Sequence, residues 1–288
     1  MSQKIKISTD STSDIPKDLL EKHNITMIPL TILANETEYK DGVDISYNEF
    51  YKLMEECEQI PTSSAITPFT YCAFFEKIFN EGYTDLIHVA INSKGSSTYQ
   101  NSLMAVEMFF SEHPEAKDKL NIHILDSKTY SMAYGLGVVE AAKLNESGKS
   151  VDEIIDFLKD WIEHAKAVFV PLDLKVVKKS GRVSAAAAFV GDVMGIKPII
   201  AFIDGEAVIT EKVRGEKAVI SKLVDYCNSE RKSGTPYALA RVNNDSAFAS
   251  LKELADEKIG DENRMEYNLG CIITMNTGPN AIGIIYRT

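Results

Sequence analysis

A chain of 288 residues with 44% hydrophobic side chains is long enough for one large core or two of ordinary size. Its 31 Lys and Arg stand against 42 Asp and Glu, a net charge of -11, which excludes a nucleic-acid backbone or an anionic membrane surface as main partner. The four cysteines, Cys57, Cys72, Cys227 and Cys271, lie far apart without a CxxC pair, so no zinc site or disulfide framework is expected.

Met1 to Lys4 runs straight into a strand with no signal-peptide pattern, and no apolar run approaches the ~18 residues of a membrane span. A cytoplasmic protein without stable membrane insertion is the expectation. Lys4 to Ser8 alternates as a first strand, followed by the hydroxyl-rich turn Thr9-Asp10-Ser11-Thr12-Ser13-Asp14 and a short helix to about His23, with Ser13 or Asp14 as its N-cap. Thr26 to Ile32 is an apolar strand. A helix spans Tyr47 to Gln59. Then comes Pro61-Thr62-Ser63-Ser64-Ala65-Ile66-Thr67-Pro68, four hydroxyls in eight residues. Pro68 suits the first turn of a helix running to Asn80, with Thr67 as N-cap. Backbone N–H groups and hydroxyls at such a helix start can hold an anion without Lys or Arg, although Ser and Thr also serve as plain caps.

Asp85 to Ile91 is a continuous apolar run of the kind buried in a parallel sheet, and it ends in Asn92-Ser93-Lys94-Gly95-Ser96-Ser97-Thr98 before a helix through Phe110. Asn121 to Leu125 is a strand, Asp126-Ser127-Lys128 a turn, and a helix carrying Gly135 and Gly137 ends near Gly148. Val151 to His164 is an amphipathic helix. Strands that run repeatedly into Ser/Thr-rich turns and then helices imply a doubly wound, mostly parallel sheet. Ligands bind such sheets beyond the carboxyl ends of the strands.

After about Ala167 the pattern changes. Val168 to Val170 is a strand, and Leu172 to Met194 carries the basic residues Lys175, Lys178, Lys179 and Arg182, then an Ala-rich helix. Ile199–Ile203 and Ala207–Lys212 form a hairpin around Asp204-Gly205. A helix over Glu216–Glu230, a strand over Tyr237–Val242, a helix over Ser246–Ile259 and strands over Tyr267–Thr274 and Ile282–Arg287 complete the chain. The expected architecture is α/β and two-lobed: residues 1–165 as the doubly wound lobe, and residues 166–288 as an α+β lobe with a mixed or antiparallel sheet.

Known catalytic signatures are missing: no GxSxG, HExxH, Walker A or GxGxxG occurs. His88 and His123 fit hydrogen-bonded core positions, and Asp10, Asp41 and Asp126 fit turn or cap roles. No residue stands out as a catalytic base. Lys178, Lys179 and Arg182, together with Arg214, read either as a solvated face or as a dock for an acidic partner or a phosphate.

The ordered motifs Thr9–Asp14, Pro61–Ser64, Ser96–Gln100, Asp126–Lys128, Lys178–Arg182, Gly195-Ile196-Lys197-Pro198 and Thr277-Gly278-Pro279 resemble those of the DegV family over essentially the whole chain. The resemblance implies a non-catalytic lipid-binding protein, with two lobes and one fatty acid between them as the ligand, no other cofactor, and presentation of that acid to a separate fatty acid kinase. It places Thr62 on the carboxylate, with Ser63, Ser96, Ser97 and Asn276 supplying further donors. The acyl chain would run along Ala186, Phe189, Met194, Ile199 and Phe202. Where the family often has His, this chain has Asn276, which donates but carries no charge. Asn280 stands where the family has Gly, Ser97 where it has the Gly of Ser-Gly-Thr, and Ser180 in its Gly-Gly-Arg. The alternative function is an enzyme or sensor acting on a small anionic or phosphorylated ligand at the same hydroxyl rim.

Overall fold

The computed structural model describes residues 3–57, 59–172, 174, 176–177, 195–260 and 262–288. The first sheet has four strands, all parallel: β1 (Ile5–Asp10), β2 (Thr26–Ile28), β6 (Asp85–Ala90) and β7 (Asn121–Asp126), in the order β2-β1-β6-β7. β6 lies between β1 and β7 and every residue in it is buried, as its unbroken apolar run requires. Helices α1 (Lys17–Lys22), α3 (Pro68–Asn80), α4 (Thr98–Glu112) and α5 (Met132–Glu146) follow strands of this half, and α6 (Val151–His164) leads out of it.

Local signals fix these helices. Thr67 accepts the Thr70 N–H as the N-cap of α3, and Pro68 sits in its first turn. α6 opens with a capping box, Ser150 and Glu153 satisfying each other's backbone N–H groups, as do Ser46 and Glu49 at α2 (Tyr47–Glu56). α5 and α6 pack closely at Gly137, where a Cβ would stand 2.5 Å from the Trp161 ring. Trp161 Nε1 donates to Ala133 O at 2.8 Å, pinning the indole on that face.

The second sheet is mixed: β8 (Ala165–Pro171), β9 (Ile196–Ile203), β10 (Glu206–Arg214), β11 (Tyr237–Arg241), β12 (Arg264–Asn268) and β13 (Ala281–Arg287), in the order β10-β9-β8-β13-β11-β12. Only β11–β12 is a parallel pair. Ile199, Val170, Leu239 and Ile284 form one core with the helices Glu216–Glu230 and Asp245–Lys258. The opposite face, with Ala167, Ala240 and Ile285, joins the core of the first half.

Three elements depart from the expectation. The stretch Thr26–Ile32 divides at Pro29, which has no N–H for a ladder, into β2 and β3 (Thr31–Ala34). β3 then pairs antiparallel with β4 (Thr37–Lys40) and with β5 (Thr62–Ser64), so the centre of the hydroxyl loop is itself a strand. Cys271–Thr277 is a helix rather than the end of a strand; all its residues but Asn276 are buried, and tertiary packing overrides the β-branched local preference. The Asp14 carboxylate would meet a Cβ at Gly270 at 2.4 Å, so only glycine brings that helix so close. Asp14, expected as a cap of α1, instead takes a left-handed conformation, and Pro16 is the N-cap.

Candidate functional site

The carboxyl ends of the parallel strands are braced by a buried carboxylate. Asp10, at the end of β1, accepts hydrogen bonds from the N–H and hydroxyl of Thr12, from Tyr134 of α5 at 2.9 Å, and from the N–H of Ile91 at 2.6 Å, just past β6. Burial pushes its pKa up, against the pull of these donors. Asp14 is raised further by burial and accepts from the Ser131 hydroxyl, which also pairs with Tyr267 Oη at 2.8 Å. The Thr9–Asp14 turn is therefore a scaffold: Thr12 and Ser13 are buried within it, and Ser11 accepts the Leu30 N–H.

Two hydroxyl loops meet above this scaffold. Thr98 Oγ1 accepts the Ile66 N–H, and Asn101 donates to Ile66 O at 2.8 Å, fastening the 61–68 stretch to the start of α4. Ser96 accepts the Thr98 N–H at 3.2 Å and pairs with its hydroxyl. Ser93 is held by Asp126, which accepts from its N–H and hydroxyl and from the Lys128 N–H.

Between these loops and one face of the second sheet lies a cavity of about 450 Å³, within the range of small-molecule sites. Ser63, Ser93, Ser96, Ser97, Ser131 and Asn276 are among its polar lining residues, with Lys94 beside them. Its apolar wall includes Ala167, Phe169, Ala240, Ile272 and Ile273. Phe202 completes the wall, its ring centroid 4.5 Å from that of Tyr130 and 5.6 Å from that of Phe169. Such a shape can hold a molecule with an anionic head and a long apolar body.

Four of the five expected head-group residues, Ser63, Ser96, Ser97 and Asn276, line this cavity. Asn276 Nδ2 donates to Ile272 O at 2.7 Å. Thr62 does not line it: it is exposed and faces a separate depression beside Leu33 and Asn35, because successive residues of β5 point to opposite sides. Phe202 is on the wall, whereas Ile199, three residues earlier in β9, lies on the other face of the sheet beneath Glu216–Glu230. Ala186, Phe189, Met194, Lys178, Lys179 and Arg182 lie outside the described residues. Arg214 is exposed at the end of β10, away from the cavity lining. Lys94, Ser93, Tyr130 and Ser131 were not anticipated. Ser131 carries a signal only in its backbone, φ 57 and ψ -150, a strained conformation for a residue with a Cβ.

His88 fills the core role expected of it, bonded to Ser8 Oγ and Tyr71 Oη at 2.9 Å each, and burial lowers its pKa to about 3. His123, on β7 at the sheet edge, is a third exposed rather than core. Among the described residues no group of three or more His, Cys, Asp or Glu could hold a metal ion, and no described helix is long and apolar enough to cross a membrane.

A family model described as "Uncharacterised protein, DegV family COG1307" matches residues 4–288. The chain belongs to the DegV family. A DegV domain-containing protein of Clostridium perfringens is 34% identical over 285 residues, covering 98% of each chain. The structure of DegV, a fatty acid binding protein from Bacillus subtilis, superposes with a TM-score of 0.83 at 28% identity, covering 99% of both chains. The fatty acid kinase (Fak) B3 protein of Streptococcus pneumoniae, loaded with linoleic acid, shares the fold at a TM-score of 0.83 and 21% identity over 99% of each chain. The two-lobed α/β architecture of this DegV chain thus matches solved members of its family.

Proposed function

We propose that this DegV chain binds one long-chain fatty acid between a lobe of residues 1–165 and a lobe of residues 166–288, and presents its carboxylate to a separate fatty acid kinase in the cytoplasm. The observation that carries this reading is one cavity with hydroxyl groups from the 63 and 93–97 loops, the Asn276 amide, and an apolar wall from the second sheet. Ser63, Ser96 and Ser97 receive the carboxylate; Thr62 supports β5 from its outer side. Each buried methylene contributes about 0.8 kcal/mol of gross driving force, so a chain of ~16 carbons readily offsets the cost of association. The binding properties of the Bacillus and Streptococcus proteins agree with this reading. The role is binding without catalysis, the kinase supplying the chemistry.

Native mass spectrometry of the purified chain, followed by lipid extraction, tests the proposal. A co-purified long-chain acid is expected. Protein that is reproducibly free of lipid and fails to take up added fatty acid refutes it; affinity for a small phosphorylated compound instead favours the alternative ligand class.

A further inference from the structure

Among the described residues that line the cavity, Lys94 carries the only formal charge. Its backbone is fixed: its N–H donates to Asn92 Oδ1 at 3.1 Å, and the preceding Ser93 is held by Asp126. Asn92 in turn donates to Gly205 O at 2.7 Å and to Tyr130 Oη at 2.9 Å, so the loop is clamped against the β9–β10 turn of the second sheet. The Lys94 side chain is different. Its ammonium reaches across to Glu206 Oε1 at 3.1 Å, and both side chains are largely exposed, at 52% and 69%. An ion pair of this kind contributes little and is readily exchanged.

We propose that Lys94 is the residue that makes this site select an ionised head group: its ammonium leaves Glu206 for the carboxylate of the ligand. The proposal rests on the fatty-acid reading above. The described lining otherwise offers a carboxylate only neutral hydroxyl and amide donors. An ammonium on a flexible four-carbon stem supplies the missing charge, and a charge-assisted hydrogen bond beside an apolar wall is stronger than a neutral one. Glu206 keeps the ammonium parked at the rim until the ligand arrives.

The test compares hexadecanoic acid with hexadecan-1-ol, each displacing the neutral dye Nile red from the full-length chain after lipid removal. Lys94→Met is expected to weaken the acid by about tenfold, the size of one half-exposed charge-assisted bond, and to leave the alcohol within about twofold. Glu206→Gln, which frees the ammonium, is expected to tighten the acid. Added salt should erode the acid-over-alcohol preference of the native chain and not that of Lys94→Met. An unchanged acid affinity in Lys94→Met overturns the proposal. So does an equal loss of acid and alcohol, or a Glu206→Gln that weakens the acid, since either makes the pair a structural clasp. A native chain that holds neither compound overturns the fatty-acid reading and this inference with it.

Discussion

Thr62 and Ser63 are neighbours in β5, yet Ser63 lines the large cavity while Thr62 faces an outer depression beside Leu33. Their pairing with Leu33 and Ile32 of β3 fixes this phase. Ser63→Ala is therefore expected to weaken fatty acid binding by about three- to tenfold, the worth of one neutral hydrogen bond. Thr62→Ala should leave affinity unchanged. Dye-displacement titrations of the two variants decide the matter; equal losses, or a loss confined to Thr62→Ala, would reverse the assignment.

Ala240 and Ala167 are small residues on the cavity wall. Ala240→Leu narrows the space for the acyl chain, at a stability cost of about 1–3 kcal/mol for the added bulk. The fatty acids extracted from this variant should shift to shorter chains than those from the native protein. An unaltered chain-length distribution by mass spectrometry would remove Ala240 from the binding path.

Two buried groups give opposite pH dependences. His88 is held neutral by burial, with its pKa down at about 3, so it contributes stability that is lost as pH falls below about 6.5. Asp41 is raised from 3.8 to about 6, chiefly by burial and against hydrogen bonds from Ser11 and Cys271. Its folded form holds the proton more tightly, so its contribution is greatest below pH 3.8 and is lost as pH rises to about 6. Between about pH 4 and 6 the two slopes oppose each other, each near 1.4 kcal/mol per pH unit. Asp41→Asn removes one of these opposing slopes, while the raised Asp10 and Asp14 keep theirs, so in denaturant unfolding the native chain should gain stability relative to the variant on acidification from about pH 6 to 4. A variant whose pH profile parallels the native one would show that Asp41 does not titrate there.

Gly137 meets the Trp161 ring too closely for any side chain. Gly137→Ala is expected to force α5 and α6 apart, costing about 1–3 kcal/mol despite the better helix propensity of Ala. Trp161 is the single tryptophan, so its emission should shift to the red as its contact with Ala133 loosens. Unchanged emission and stability would mean that the interface yields at no cost.

Features encoded within one turn of chain were legible in the sequence. The ends of α3, α6 and the Glu216–Glu230 helix coincide with those expected, because Thr67, Pro68, Ser150 and the apolar spacing act locally. The parallel sheet followed from unbroken apolar runs ending in hydroxyl turns. The phase of β5 was not legible, since three residues of Thr and Ser face either way until β3 selects one. Nor was the helix Cys271–Thr277, whose β-branched residues prefer strands and are held helical by burial on nearly every side. Lys94 and Glu206 are 112 positions apart, and no local pattern announces their meeting.

β13 comes after every other described strand in sequence, yet it occupies the middle of the second sheet, between β8 and β11, with all seven residues buried. The ribosome must therefore release Ala281–Arg287 before that sheet can close, whereas the strands of the first sheet have all been made by Asp126. Domains emerging earlier in synthesis fold first. A nascent chain would thus hold every strand of the parallel sheet while the cavity still lacks its Gly283 and Ile285 wall.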